Sequence, residues 1–188
     1  YMRRNIDAWW PLVEKKEVEA IIVTASGCGV TVKEYGHLLR YDSVYAGKAA
    51  TISTLAKDIS EILHAELGNL QHLFSQKHTA LKTKLSFHSP CTLQHGMQIR
   101  GVVEEILQAA GFELSYVANA HLCCGSAGTY SILQPELSQQ LLKNKLAALE
   151  SSNPDHIATA NIGCLMHLKS GAALPVKHWI ELLDERLS

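Results

Sequence analysis

The sequence predicts an α/β fold of parallel-sheet βαβ units, arranged as a duplicated domain whose first copy is truncated. Three observations lead there. Short β-branched runs alternate with amphipathic helical stretches, the order expected of parallel strands joined by crossover helices. Two distant segments repeat the order helix, strand, Thr-Ala, Gly-Cys, one running through Ile21 to Cys28 and the other through Ile157 to Cys164. Four cysteines, Cys91, Cys123, Cys124 and Cys164, fall beside turn residues, where strands are expected to end.

Composition bounds what such a chain does. At 188 residues, 47% hydrophobic and 19% charged, it can bury a core and is not disordered. A net charge of −1 without a lysine or arginine run argues against nucleic acid as a partner. The longest apolar stretches are strand-sized, well short of the roughly 20 residues that span a membrane, and no signal peptide is visible. The chain opens on Tyr1, within what reads as helix interior, so a fragment of a longer protein is expected. Five cysteines, two of them adjacent, argue against a disulfide framework and for a reducing, cytoplasmic compartment.

The elements follow in order. A helix over Arg3–Lys16 leads to a strand at Ala20–Thr24, then helices at Thr31–Leu39 and Ser53–Leu67. Residues from about Phe74 to Lys84 are polar and weakly periodic and read as a junction. Beyond it come strands at Leu85–His88, Phe112–Val117 and His156–Ala160, and helices at Met97–Ala110, Pro135–Glu150 and His178–Leu187. The helix at Met97–Ala110 carries Ile99, Val102, Val103, Ile106 and Leu107 on one stripe. Gly111 offers it a left-handed stop. Pro135 suits a first helical turn, where a missing N–H costs nothing. Trp9, Trp10 and Trp179 read as core or partner-contact residues.

Three strand ends deliver Cys91, Cys123-Cys124 and Cys164 to one edge of a parallel sheet, the edge at which open α/β sheets bind ligands. Helices begin there, and helix N-termini favour thiolates. Gly125 and Gly163 allow backbone N–H groups to approach a bound cluster. A metal held by these thiolates is the leading expectation, with an iron–sulfur cluster first. Zinc on four thiolates, or on three plus His167, is an alternative, although no C-x2-C pair is present. A nucleophilic cysteine with His121 as base is another, and leaves the remaining thiols unexplained. His88, His95 and His121 are read as donors behind the ligands or as surface residues. Lys33 and Glu34 are read as a surface pair.

The spacing can be set beside a known family. Cys91, thirty-one residues, Cys123-Cys124-Gly125, thirty-eight residues, then Cys164-Leu165-Met166-His167 resembles the cysteine-rich CCG domain family, whose pattern is a cysteine, a CCG and a closing C-x2-C. The strings HSPCTLQHG (88–96), HLCCGSAGTY (121–130), TANIGCLMHL (159–168), VKHWIELL (176–183) and TASGCGVTVKEYGHLL (24–39) are most similar to the glycolate oxidase iron–sulfur subunits within it. The resemblance implies two domain copies, the end of the first over 1–73 and a complete second over 74–188. It implies a [4Fe–4S] cluster, cubane or not, on Cys91, Cys123, Cys124 and Cys164. Because His167 stands where a cysteine is expected, His167 or Cys28 is the candidate further ligand. The implied role is a non-catalytic electron-transfer module that takes electrons from a flavin-containing subunit oxidising glycolate to glyoxylate, in the cytoplasm or peripherally at the inner face of the membrane. Three alternatives stay open: a heterodisulfide-reductase-like module acting on a thiol or disulfide, a zinc-binding module and a metal-free docking module.

Overall fold

A computed structural model describes residues 1–76 and 83–188, so most of the predicted junction lies outside the described residues. The chain divides into two compact units, residues 1–62 and 63–188.

In the first unit, α1 (Met2–Glu14) is followed by β1 (Ile21–Val23), α2 (Ser26–Lys33), α3 (Tyr35–Leu38), α4 (Ala46–Leu55), β2 (Ala56–Asp58) and the start of α5 (Ile59–Ala65). Strands β1 and β2 pair in parallel, with Ile21 opposite Ala56 and Val23 opposite Asp58. Ile6, Ala49 and Ile52 are fully buried and form a core with Val32, Tyr35 and Leu39, against which Trp9 packs.

The second unit runs α6 (Leu67–Ser75), β3 (Lys84–His88), a π turn (Thr92–Gly96), α7 (Val102–Ala109), β4 (Glu113–Leu114), α8 (Tyr130–Leu133), α9 (Pro135–Glu150), β5 (His156–Thr159), α10 (Ile162–Lys169), β6 (Val176–His178) and α11 (Trp179–Leu187). Its sheet has the order β4-β3-β5-β6, all parallel. The central strands β3 and β5 are buried along nearly their whole length, as strands covered on both faces must be. Leu142, Leu149, Ile157, Leu168 and Val176 close one core with Cys124. Trp179 is fully buried at the head of α11, which opens with a capping box between His178 and Glu181. Among the described residues no helix is long and apolar enough to cross a membrane.

The α/β class with parallel strands is as expected, and Pro135–Glu150 is helical over its predicted span. Four elements differ. The helix expected at Ser53–Leu67 contains β2. Asp58, buried at the end of that strand, accepts from the Ser60 N–H (2.9 Å) and hydroxyl (2.6 Å), so a new helix starts there. The helix expected from Met97 begins only at Val102, because Gln98 (φ 58°) and Gly101 (φ 76°) are left-handed. The span Thr31–Leu39 is two helices, the first beginning earlier at Ser26. The strand expected over Phe112–Val117 is reduced to Glu113–Leu114. Lys33 pairs with Glu61 at 2.7 Å rather than with Glu34.

Candidate metal centre

The centre of the second unit is built at the C-terminal ends of β3 and β5. Register places His88 opposite Thr159, so the two central strands finish level. After β3, Ser89 and Pro90 turn the chain, and the Pro90 carbonyl accepts from the Leu93 and Gln94 amides at 3.0 Å. That turn fixes Cys91 at the mouth of the π turn. After β5, Asn161 caps α10, its side-chain oxygen accepting from the Gly163 N–H at 2.8 Å, which puts Cys164 in the first helical turn. The Asn161 amide also reaches the Thr92 hydroxyl at 3.3 Å, joining the two strand ends that carry Cys91 and Cys164.

Cys123 and Cys124 lie on the loop between β4 and α8. Lys145, buried on α9, donates to the carbonyls of Asn119 (3.0 Å) and Ala120 (3.2 Å) and holds that loop from behind. Gln94 donates to the carbonyls of Ser89 (3.0 Å) and His121 (3.5 Å). Gly125 adopts φ +95°, and a Cβ there would collide with the Ser138 carbonyl of α9, so only glycine lets the loop turn this close to the helix. Its N–H donates to Cys123 Sγ at 3.3 Å. Its carbonyl accepts from the buried Ser138 hydroxyl at 2.9 Å, and His167 Nε2 lies 3.3 Å from that hydroxyl.

The four thiols act on one another in turn, Cys91 with Cys123, Cys123 with Cys124 and Cys124 with Cys164. The bond to Cys123, with burial, holds the Cys91 thiol far above its ordinary range. Bonds to Cys123 and Cys164 do the same for the fully buried Cys124. The accepting partners move the other way. Cys123 is pulled strongly down by its bonds from Cys124 and Cys91. Cys164 falls to about 5 through its bond from Cys124, against burial, with the nearby His88 adding to the drop. Neighbouring thiols cannot all give up their protons unaided. A cation bound by thiolates releases such protons and takes their place. Soft, deprotonatable sulfur in this density fits iron–sulfur chemistry or zinc. Burial pushes the Lys145 ammonium down, while the thiols pull it back up.

His88 completes the constellation. It is 1% exposed, and one of its ring nitrogens lies with the sulfurs of Cys124 and Cys164 in a group whose members are all within 4.8 Å of one another. Neither ring nitrogen meets hydrogen-bond geometry with any atom of the described residues. The sequence places His88 correctly at a strand end, but nothing in its neighbours there marks it as buried against the thiols. His95 and His121 are exposed. Cys28 lies in the first unit, exposed on α2. The Gly163 N–H is taken up by Asn161. A cleft of about 220 Å³ opens beside Cys123, lined also by Leu122, Leu141, Asn144, Lys145 and Ala148.

Comparison with known proteins matches residues 85–169 to the cysteine-rich domain family designated CCG. The chain is 50% identical over 185 residues to the glycolate oxidase iron–sulfur subunit of Escherichia coli (strain K12), covering 98% of this chain and 44% of that protein. It is 35% identical over 172 residues to the probable glycolate oxidase iron–sulfur subunit of Bacillus subtilis (strain 168), covering 90% of this chain and 36% of that one. Lactate utilization protein A of Anoxybacillus flavithermus is 25% identical over 193 residues, 99% of this chain and 79% of that protein. The chain thus spans less than half the length of the two glycolate oxidase subunits.

Proposed function

Because residues 85–169 belong to the cysteine-rich CCG domain family, we propose that the chain holds an iron–sulfur cluster on Cys91, Cys123, Cys124 and Cys164 and works as an electron-transfer module of a glycolate oxidase complex. The observation that carries this reading is the gathering of cysteines from three sequence-distant segments, with the Cys124 and Cys164 sulfurs within 4.8 Å of each other and Cys91 and Cys123 acting on their neighbours' thiols. A cluster bound there would supply a one-electron relay between a flavin subunit that oxidises glycolate to glyoxylate and a downstream acceptor.

The chain's own groups prepare the site for that role. Cys124 presents its sulfur from the fully buried core, away from water. The Gly125 N–H already donates to the Cys123 sulfur, the kind of contact that tunes a cluster's potential. Lys145 sets a positive charge behind the sulfurs while tying down the loop that carries them. The cysteine-bearing segments and the helices that follow the CCG loop also expose Leu122, Ile132, Leu133, Leu137, Ile162 and Met166, apolar surface of the sort that marks a protein partner. We place this work in the cytoplasm, where thiols stay reduced.

Anaerobic reconstitution with iron and sulfide tests the reading. About four irons and about four sulfides per chain are expected, with a paramagnetic signal on reduction. Cys123→Ser and Cys124→Ser, made separately, should each lose most of both. One tightly bound zinc with no sulfide would sink the electron-transfer reading. The cleft beside Cys123 favours one second reading, in which a small thiol or disulfide docks at the centre. A reduced-state spectrum that shifts on adding a small thiol supports it, and an unchanged spectrum removes it.

A further inference from the structure

We propose that His88 is a metal ligand, sharing one metal atom with Cys124 and Cys164. This rests on the reading of the site as an iron–sulfur centre and adds to it a nitrogen donor that the cysteine motif does not contain.

The argument begins with what the ring lacks. An imidazole buried to 1% exposure ordinarily spends both nitrogens on protein or water, yet among the described residues neither nitrogen of His88 has a partner in hydrogen-bond geometry. What it faces instead is sulfur, with the donor atoms of His88, Cys124 and Cys164 all within 4.8 Å of one another. Two donors on one tetrahedral metal stand about 3.5–3.8 Å apart, given metal–sulfur bonds of about 2.3 Å and metal–nitrogen bonds of about 2.0 Å. The donors therefore need to close by at most about 1.3 Å to share a metal. The ring is delivered by β3, a central strand fixed in register on both sides, which suits a ligand better than a loop does. A ligating imidazole needs an acceptor for its second nitrogen. Thr159, opposite His88 in register, has a buried hydroxyl that likewise has no partner among the described residues.

His167 makes the contrast. It occupies the position three residues after Cys164, but its Nε2 lies 3.3 Å from the Ser138 hydroxyl, on the side of the CCG loop that packs against α9. One histidine is engaged in holding the loop; the other is buried against the sulfurs of Cys124 and Cys164.

The test uses the full chain reconstituted anaerobically with iron and sulfide, prepared with ordinary or ¹⁵N-labelled histidine and read by pulsed electron paramagnetic resonance. The expected result is a directly coordinated nitrogen coupling that responds to the isotope, vanishes in His88→Gln and survives in His167→Gln. A wild-type centre without that coupling, or one whose coupling persists in His88→Gln or disappears only in His167→Gln, overturns the assignment and leaves the iron–sulfur reading standing. Failure of the wild type to take up iron and sulfide overturns both. Should His88→Gln take up no iron, His88→Cys decides, since it replaces one donor with another. Recovered iron and sulfide support ligation, whereas no recovery in an apoprotein that melts like wild type overturns it.

Discussion

Gly125 carries more constraint than any other single residue of the centre. Its φ of +95° suits glycine, and the Ser138 carbonyl occupies the space a methyl group would need. Gly125→Ala is therefore expected to lower unfolding stability by about 3 kcal/mol, combining backbone strain with overpacking, and to reduce metal uptake through the displaced Cys123 and Cys124. Denaturant unfolding and metal analysis check both effects; a change below about 0.5 kcal/mol would show that the loop relaxes away from α9. Residue by residue, the site was legible to unequal degrees. The cysteines stand out because packing alone rarely sets four thiols beside turn residues, two of them adjacent; the expected third strand end is instead a loop, since β4 stops at Leu114, well before Cys123. Gly125 was legible as a place of close backbone approach, but the group it approaches, the Ser138 carbonyl, comes from a helix distant in sequence. His88 escaped a ligand assignment because burial and the absence of partners belong to three-dimensional packing, and a histidine before Ser-Pro looks the same whether it faces solvent or sulfur.

At the scale of elements, caps set where the chemistry begins. Asn161 starts α10 by accepting from the Gly163 N–H and so fixes the phase of the turn that presents Cys164. Asn161→Ala should cost about 1 kcal/mol and weaken metal retention further by losing the tie to Thr92; unchanged melting and metal content would reduce the cap to an ornament. In the first unit, Glu61 fastens three elements, accepting from the Asp58 N–H at 2.8 Å and from Lys33 Nζ at 2.7 Å. Burial raises its carboxyl, but the Lys33 bond, the Asp58 amide and the two lysine charges outweigh that and leave it below its ordinary 4.5. A group depressed on folding stabilises fully above its unfolded value and loses that contribution as pH falls through its folded value. As pH falls below the ordinary carboxylate value of 4.5, Glu61→Gln should thus lose less stability than wild type in denaturant titrations, and parallel losses would remove Glu61 from the acid response. The same region shows why β2 was hidden. From Ile52 to Leu63 the apolar residues recur at near-helical spacing, and only the Asp58-Ile59-Ser60-Glu61 cap reveals that one helix ends and another begins.

For the whole molecule, the two units predict a divided response to metal. All four thiols of the proposed centre belong to residues 63–188, and residues 1–62 contain only the exposed Cys28. Binding that favours the folded state by ~2.7 kcal/mol, reached at a hundredfold excess over Kd, raises the melting of a domain of this size by about 10 °C. Hydrogen exchange before and after chelation should show protection lost across β3, β5 and α10 and unchanged across β1 and α4. Equal loss in both units would place a ligand, Cys28 first, in the other half. The α/β class was readable because strand–helix alternation is written into local periodicity. The order β4-β3-β5-β6 was not, because which parallel strand lies beside which depends on long crossovers rather than on any local signal.

That order also governs how the protein is made. The two central strands are neighbours in space, yet α7, β4, α8 and α9 all intervene in sequence. A chain emerging from the ribosome exposes Cys91, Cys123 and Cys124 before β5 exists to carry Cys164 into place. Pairing over such a separation is slow to form, so a cluster on all four proposed cysteines would be completed only after translation has passed β5.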